Sequence, residues 1–224
     1  MKTTFYKDIE DIFSSNRLSV YRQDGCDDTT ALSRYLYNIE ICKTLYPILH
    51  IFEITLRNSI DKSLTDFSGT QLWYDSLNLN TDSKLKVSIA KNKIQNKNKE
   101  VTHDRLISEM TLGFWTAFLT TRYSQSSFQS FIIKTALKDM PKNLRNTKSI
   151  QSIFEKMRLL RNRVSHYERL IHWKDLTQQH KQLLECIKWL SPVSFELAIK
   201  INCFDKIIQD GITPWINLVK ENWN

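Results

Sequence analysis

Between Ile150 and Glu168 the chain carries a compact set of side chains able to act on a phosphate group: Arg161, Asn162 and His166, followed by Tyr167 and Glu168. A histidine titrates near neutrality and can move a proton to or from an oxygen, a contribution of about 10²–10⁴ in rate. A guanidinium stays charged and its fork matches two phosphate oxygens. Asn162 can orient an imidazole or bind a backbone group. The alternative for the same residues is structural: an arginine whose stem packs while its head reaches a carboxylate, and a histidine held by ordinary hydrogen bonds.

The helix that must present them begins near Ile150. Ile150, Ile153, Phe154, Met157, Leu160 and Val164 recur at helical spacing and form one apolar stripe, into which Arg161 falls. A lone charge buried there is costly and needs a partner. Leu159, Asn162, His166 and Leu170 form a second stripe, so the helix should be covered on both sides, within its own domain or by a second subunit. Arg161 and His166 are five residues apart, hence about 140° around an ideal helix. Either the helix distorts, or arginine's reach compensates, or two protomers pool their residues. Pooling is the preferred solution, with the Asn162/His166 stripe near a twofold axis.

Other candidates surround this centre. Glu53, Arg57, Asn58 and Asp61 share one side of a helix over 48–67; Glu53 or Asp61 can pair with Arg161, and Arg57 can line a groove, or Glu53 and Arg57 simply pair with each other. Lys84, Lys86, Lys91, Lys93, Lys97, Lys99 and Arg105 make a basic run. Lys84, Lys91 and Lys93, with Arg158 and Arg163, are candidates for a nucleic-acid backbone, against the duller reading of a solvated face. His103, His172 and His180 lack ligand spacing, so neither a metal nor a cofactor is expected.

The supporting elements read as helices throughout. Expected helices cover 5–13, 31–46, 48–67, 81–94, 104–109, 113–123, 127–138, a span from 150, 174–190 and 192–209. Residues 14–28 read as a loop and 70–82 as a connector carrying Trp73 and Tyr74. Asp27, Asp28 and Thr29 are helix caps, and Pro47 should kink one helix or open the next. Trp115 and Phe118 read as packing anchors, and Trp215 and Trp223 as the means by which the tail docks. The expected fold is all-α, a single-domain helical bundle over 1–224 with the helices of 174–224 docked on it.

Bulk properties agree. The chain has 224 residues, only four glycines and four prolines, and no internal repeat, which disfavours a many-turned β-architecture. A net charge of +8 and a pI near 9.3 point to an anionic partner, nucleic acid first. Cys26, Cys42, Cys186 and Cys203 show no C-x-x-C spacing and suit a reducing compartment. With no signal-peptide core and no segment long enough to span a bilayer, a cytoplasmic protein away from membranes is expected.

The hexamer Arg161-Asn162-Arg163-Val164-Ser165-His166 matches the R-N-x-x-x-H signature of HEPN ribonucleases. With Phe52-Glu53-Ile54-Thr55-Leu56-Arg57-Asn58, Leu112-Gly113-Phe114-Trp115-Thr116 and His166-Tyr167-Glu168, the chain resembles bacterial Abi-like (abortive infection) proteins over roughly residues 17–172. That resemblance implies a helical bundle of HEPN type, usually a homodimer, cutting RNA without a metal in antiviral defence or toxin–antitoxin systems, where an antitoxin protein or RNA is the further partner. It carries catalytic roles to Arg161 and His166, with Asn162 supporting. Some HEPN toxins place a modified tyrosine two residues after the histidine; here Glu168 stands there and Tyr167 one position earlier, so such regulation is not implied. Two other classes stay open: a catalytically silent RNA-binding protein, and a helical interaction protein in which Arg161 and His166 are structural.

Overall fold

The computed structural model describes residues 3–223; Met1, Lys2 and Asn224, which the N-terminal reading and the domain bounds include, lie outside the described residues. Every regular element among them is helical, so the all-α expectation holds. In order these are α1 (Thr3–Phe13), α2 (Ser15–Ser19), α3 (Asp28–Ser68), α4 (Trp73–Ser76), α5 (Thr81–Gln95), α6 (His103–Glu109), α7 (Leu112–Ala117), α8 (Ser127–Thr135), α9 (Thr147–Ser165), α10 (Leu176–Leu190), α11 (Pro192–Ile201), α12 (Phe204–Asp210) and α13 (Thr213–Trp223).

The largest departure from the sequence pattern is α3. The two helices expected over 31–46 and 48–67 are one element of 41 residues, with Pro47 inside it. Proline removes a donor and typically costs about 3 kcal/mol in a helix interior. Against that, Ile41, Leu45, Ile48, Phe52, Leu56, Ile60 and Leu64 run along one side of α3, each at most 1% exposed. Burial of a large apolar side chain is worth about 1.5–3 kcal/mol, so this stripe outweighs the proline. Pro47 itself is exposed.

Capping fixes where α3 begins. The Asp27 carboxylate accepts the Thr30 N–H at 2.8 Å, and the Thr30 side chain, followed by this N–H, holds that carboxyl below its ordinary range. Other boundaries moved by a few residues. The 14–28 loop contains α2, the 70–82 connector contains α4, and the helix expected over 192–209 breaks at Asn202 and Cys203 into α11 and α12. Gly211, at φ 61°, stops α12 and donates to the Ile207 carbonyl.

By packing, the chain forms two compact units. The first comprises the chain through Ile48, Arg161–His180, and the chain from Ile201; the second comprises Leu49–Leu160 and Lys181–Lys200. Each crossing falls inside a helix (α3, α9, α10, α11) rather than in a linker. In the first unit, Tyr6, Leu18, Ala31, Leu32 and Val219 are buried together, flanked by Phe5, Ile9, Tyr35, Leu36 and Trp223. Phe5 stacks on Trp223 at 4.9 Å, so the tail docks through α13. In the second unit Trp73, Phe114, Trp115, Phe118, Tyr123 and Phe128 form an aromatic cluster. Trp115 and Phe118 are fully buried, as packing anchors should be.

Candidate active site

Helix α9 is built to hold its C-terminal end still. The Asn146 side chain caps its start, accepting the Ser149 N–H at 3.0 Å. Ile150, Phe154, Met157, Leu160 and Val164 are buried, as the first stripe requires. The second stripe behaves differently. Leu159 is 45% exposed, Asn162 is half-buried and His166 is exposed, while Leu170 lies beyond the helix and is fully buried. Of the two ways to cover this side, its own chain does not supply one: the Leu159/Asn162/His166 side is open.

His166 is the cap residue at the end of α9. Its N–H still donates to the Asn162 carbonyl at 2.9 Å, so its backbone continues the helical path. Next, the Tyr167 N–H donates to the Val164 carbonyl at 3.2 Å and the Glu168 N–H to the Arg163 carbonyl at 3.0 Å. Tyr167 sits at φ 56°. This is the Schellman closure, here with tyrosine in the left-handed position that glycine usually fills. α9 is one continuous helix to Ser165, so an ideal helix path separates half-buried Arg161 from His166 by about 140°.

The loop after His166 is clamped by residues that sequence reasoning missed. Asn38, 3% exposed on α3, donates through Nδ2 to the Glu168 carbonyl at 3.2 Å. Its Oδ1 accepts the N–H groups of Leu170 at 2.6 Å and Ile171 at 3.3 Å. One amide thus satisfies three backbone groups. Arg17 donates to the Tyr167 carbonyl at 3.4 Å, and Arg169 to the Val20 carbonyl. Arg163 pairs with Glu168 and lies over the Trp173 ring, 6.0 Å from its centre. Burial and the neighbouring Arg169 and Arg163 push the His172 imidazole below its ordinary pKa. A polar residue inside an apolar stripe, as Asn38 is, was the available signal, but its partners lie 130 or more positions away.

Beside Val164 and Tyr167 opens a groove of 590 Å³. Its walls are Tyr35, Asn38, Ile39, Cys42, Lys43 and Tyr46 from α3, with Arg17 from α2. Burial pushes the Cys42 thiol up to about 11, so it lines the groove as a neutral group.

The remaining candidates belong to the second unit. Arg57 Nε donates to Asn58 Oδ1 at 3.0 Å. Glu53 is half-buried on the same helix. Asp61 is engaged on both oxygens, by Trp73 Nε1 at 2.8 Å and by His103 Nε2 at 3.1 Å. Arg158 grips Glu155 through two bonds, 2.8 and 2.5 Å, which lowers the Glu155 pKa and raises that of Arg158. Lys91 pairs with Asp75 at 2.8 Å and Lys93 with Glu109 at 2.5 Å, while Lys84 is exposed on α5. Much of the basic run is thus spent on neighbouring acids. Among the described residues no helix is long and apolar enough to cross a membrane, and no group of three or more His, Cys, Asp or Glu is placed to hold a metal.

Comparison with known proteins gives one finding. The model of a family described as Abi-like protein matches residues 3–172, from α1 through the clamped loop, leaving α10–α13 outside. No curated protein and no solved structure gives a significant match.

Proposed function

The chain belongs to the Abi-like protein family, and from that premise we propose that it is an abortive-infection effector that cuts RNA at a site pooled between two copies of the chain. His166 carries this reading. It is the one histidine of the R-N-x-x-x-H segment, it is exposed, and its backbone is fixed from both sides by the helix end and the Asn38 clamp. A surface histidine with no catalytic task has little need of so rigid a mount.

The chemistry follows from the groups present. The imidazole moves a proton at the ribose 2′-hydroxyl or at the leaving 5′-oxygen. The 2′-oxygen attacks the adjacent phosphorus, the P–O5′ bond breaks, and a cyclic phosphate and a 5′-hydroxyl result. Arg161 spreads the negative charge of the phosphorane, and Asn162 orients the imidazole. Because Arg161 and His166 leave α9 in different directions, a twofold pairing along the open Leu159/Asn162/His166 side lets each arginine serve the partner's histidine.

The test uses purified wild type and His166→Ala with mixed cellular RNA in EDTA, with circular dichroism to verify folding. Wild type should cut and the variant should lose at least about a hundredfold in rate. Mixing Arg161→Ala with His166→Ala should restore part of the activity by assembling one intact site. Equal cutting by wild type and His166→Ala places the chemistry elsewhere. RNA retained but uncut by wild type marks a silent RNA-binding protein, and no RNA retained marks an interaction protein. A monomer in light scattering at micromolar concentration removes the pooled site.

A further inference from the structure

Tyr167 is an odd residue to find where it is. A non-glycine side chain in the left-handed region is strained, and an exposed tyrosine gains nothing from packing in return. Tyr167 is 72% exposed. It lies on the rim of the 590 Å³ groove, whose other aromatic walls are Tyr35 and Tyr46, the latter 60% exposed. Ile39, 45% exposed, adds an apolar surface between them. A groove of this volume accommodates a nucleotide.

Two cations border the same groove. Arg17 holds the Tyr167 carbonyl with one nitrogen. Lys43, with a side chain 72% exposed, is paired with Glu40 one turn earlier at 3.3 Å. Such surface pairs are weak and exchange readily for a phosphate. The floor is uncharged, since Cys42 is a neutral thiol and Asn38 is occupied by the loop. Flat aromatic walls, a neutral floor and a cationic rim suit one class of ligand: an unpaired base that stacks, with its phosphate outside.

We propose that this groove is a base-binding subsite for single-stranded RNA, in which Tyr46 and Tyr167 flank one unpaired base and Lys43 and Arg17 face its phosphate. The subsite adjoins the end of α9, so the nucleotide it holds sets which bond lies at His166. It rests on the reading of the chain as an RNA-cutting protein, and names how that site selects single strands.

The test measures binding of a short fluorescent single-stranded RNA by anisotropy, on full-length protein carrying His166→Ala so that nothing is cut. Tyr46→Ala should weaken binding roughly tenfold, the size of a lost base–aromatic stack. Tyr46→Phe should bind like the parent. An RNA series with one abasic nucleotide moved along the strand should contain one position at which the parent loses the same factor and Tyr46→Ala loses no more. Lys43→Gln should lower the slope of log affinity against log salt by about one. Tyr46 is exposed, so folding survives the change, and thermal melts verify this.

If Tyr46→Ala and the abasic series bind as tightly as the parent while wild type still cuts RNA, the subsite is wrong and the nuclease reading stands. If Tyr46→Ala instead lowers the mass in light scattering and leaves RNA affinity unchanged, the groove is a seam between two copies and the subsite is overturned. If the parent binds no RNA, both readings fall together.

Discussion

Asn38 and the backbone it holds are 130 residues apart in sequence, yet its single amide fixes the loop that follows His166. Asn38→Ala leaves three backbone groups without this partner, and should destabilise the first unit by about 2 kcal/mol in urea unfolding. On the nuclease reading cleavage should fall as well, with kcat and KM both affected, because the clamp holds the loop that carries Tyr167 on the groove rim as well as the end of α9. Cys42 gives a second expectation at this scale. With its thiol pushed up to about 11, only about one molecule in a thousand is thiolate at pH 8. Iodoacetamide at that pH should therefore label the exposed Cys203 first and leave Cys42 largely intact, as peptide mass spectrometry would record; labelling of Cys42 should rise steeply as pH approaches 11.

Helices fix where these residues stand, and their ends were unevenly legible. The R-N-x-x-x-H segment, the apolar stripe of α9 and the Asn146 and Asp27 caps could be read directly, because each depends on neighbours within one or two turns. Pro47 misled because local propensity lost to a buried stripe running through it. The clamp by Asn38 was illegible, since it depends on which distant segments arrive. Asp27→Ala should cost about 1 kcal/mol at neutral pH. The Asp27 carboxyl is held below its ordinary range, so this cap contributes fully above that range and is lost as pH falls through the lowered value. Below it, wild type and Asp27→Ala should melt alike. Tyr167→Gly should stabilise the protein by about 1 kcal/mol by relieving the left-handed strain, while weakening RNA binding; a gain in both would remove the reason given for the tyrosine.

Across the whole molecule, charge and family point the same way but at different resolution. A net charge of +8 suits an anionic partner, yet Lys86, Lys91, Lys93 and Lys97 on and beside α5 are tied to Asp82, Asp75 and Glu109. Phosphate contacts are therefore expected from the rim of the groove more than from that run. Within the family blocks, Phe52, Leu56, Phe114 and Trp115 are buried, so these positions anchor the fold.

The stack of Phe5 on Trp223, within a cluster that joins Tyr6 and Leu18 to Val219, has a temporal meaning. During synthesis, the residues that finish this core leave the ribosome some two hundred positions after those that begin it. The unit that carries Arg161 and His166 therefore closes only when α13 emerges. On the nuclease reading, the site is not assembled before α13 has joined that core. Stopping the chain after Gly211 should leave α1 open to rapid hydrogen exchange and abolish cutting, even though Arg161, Asn162 and His166 are all present.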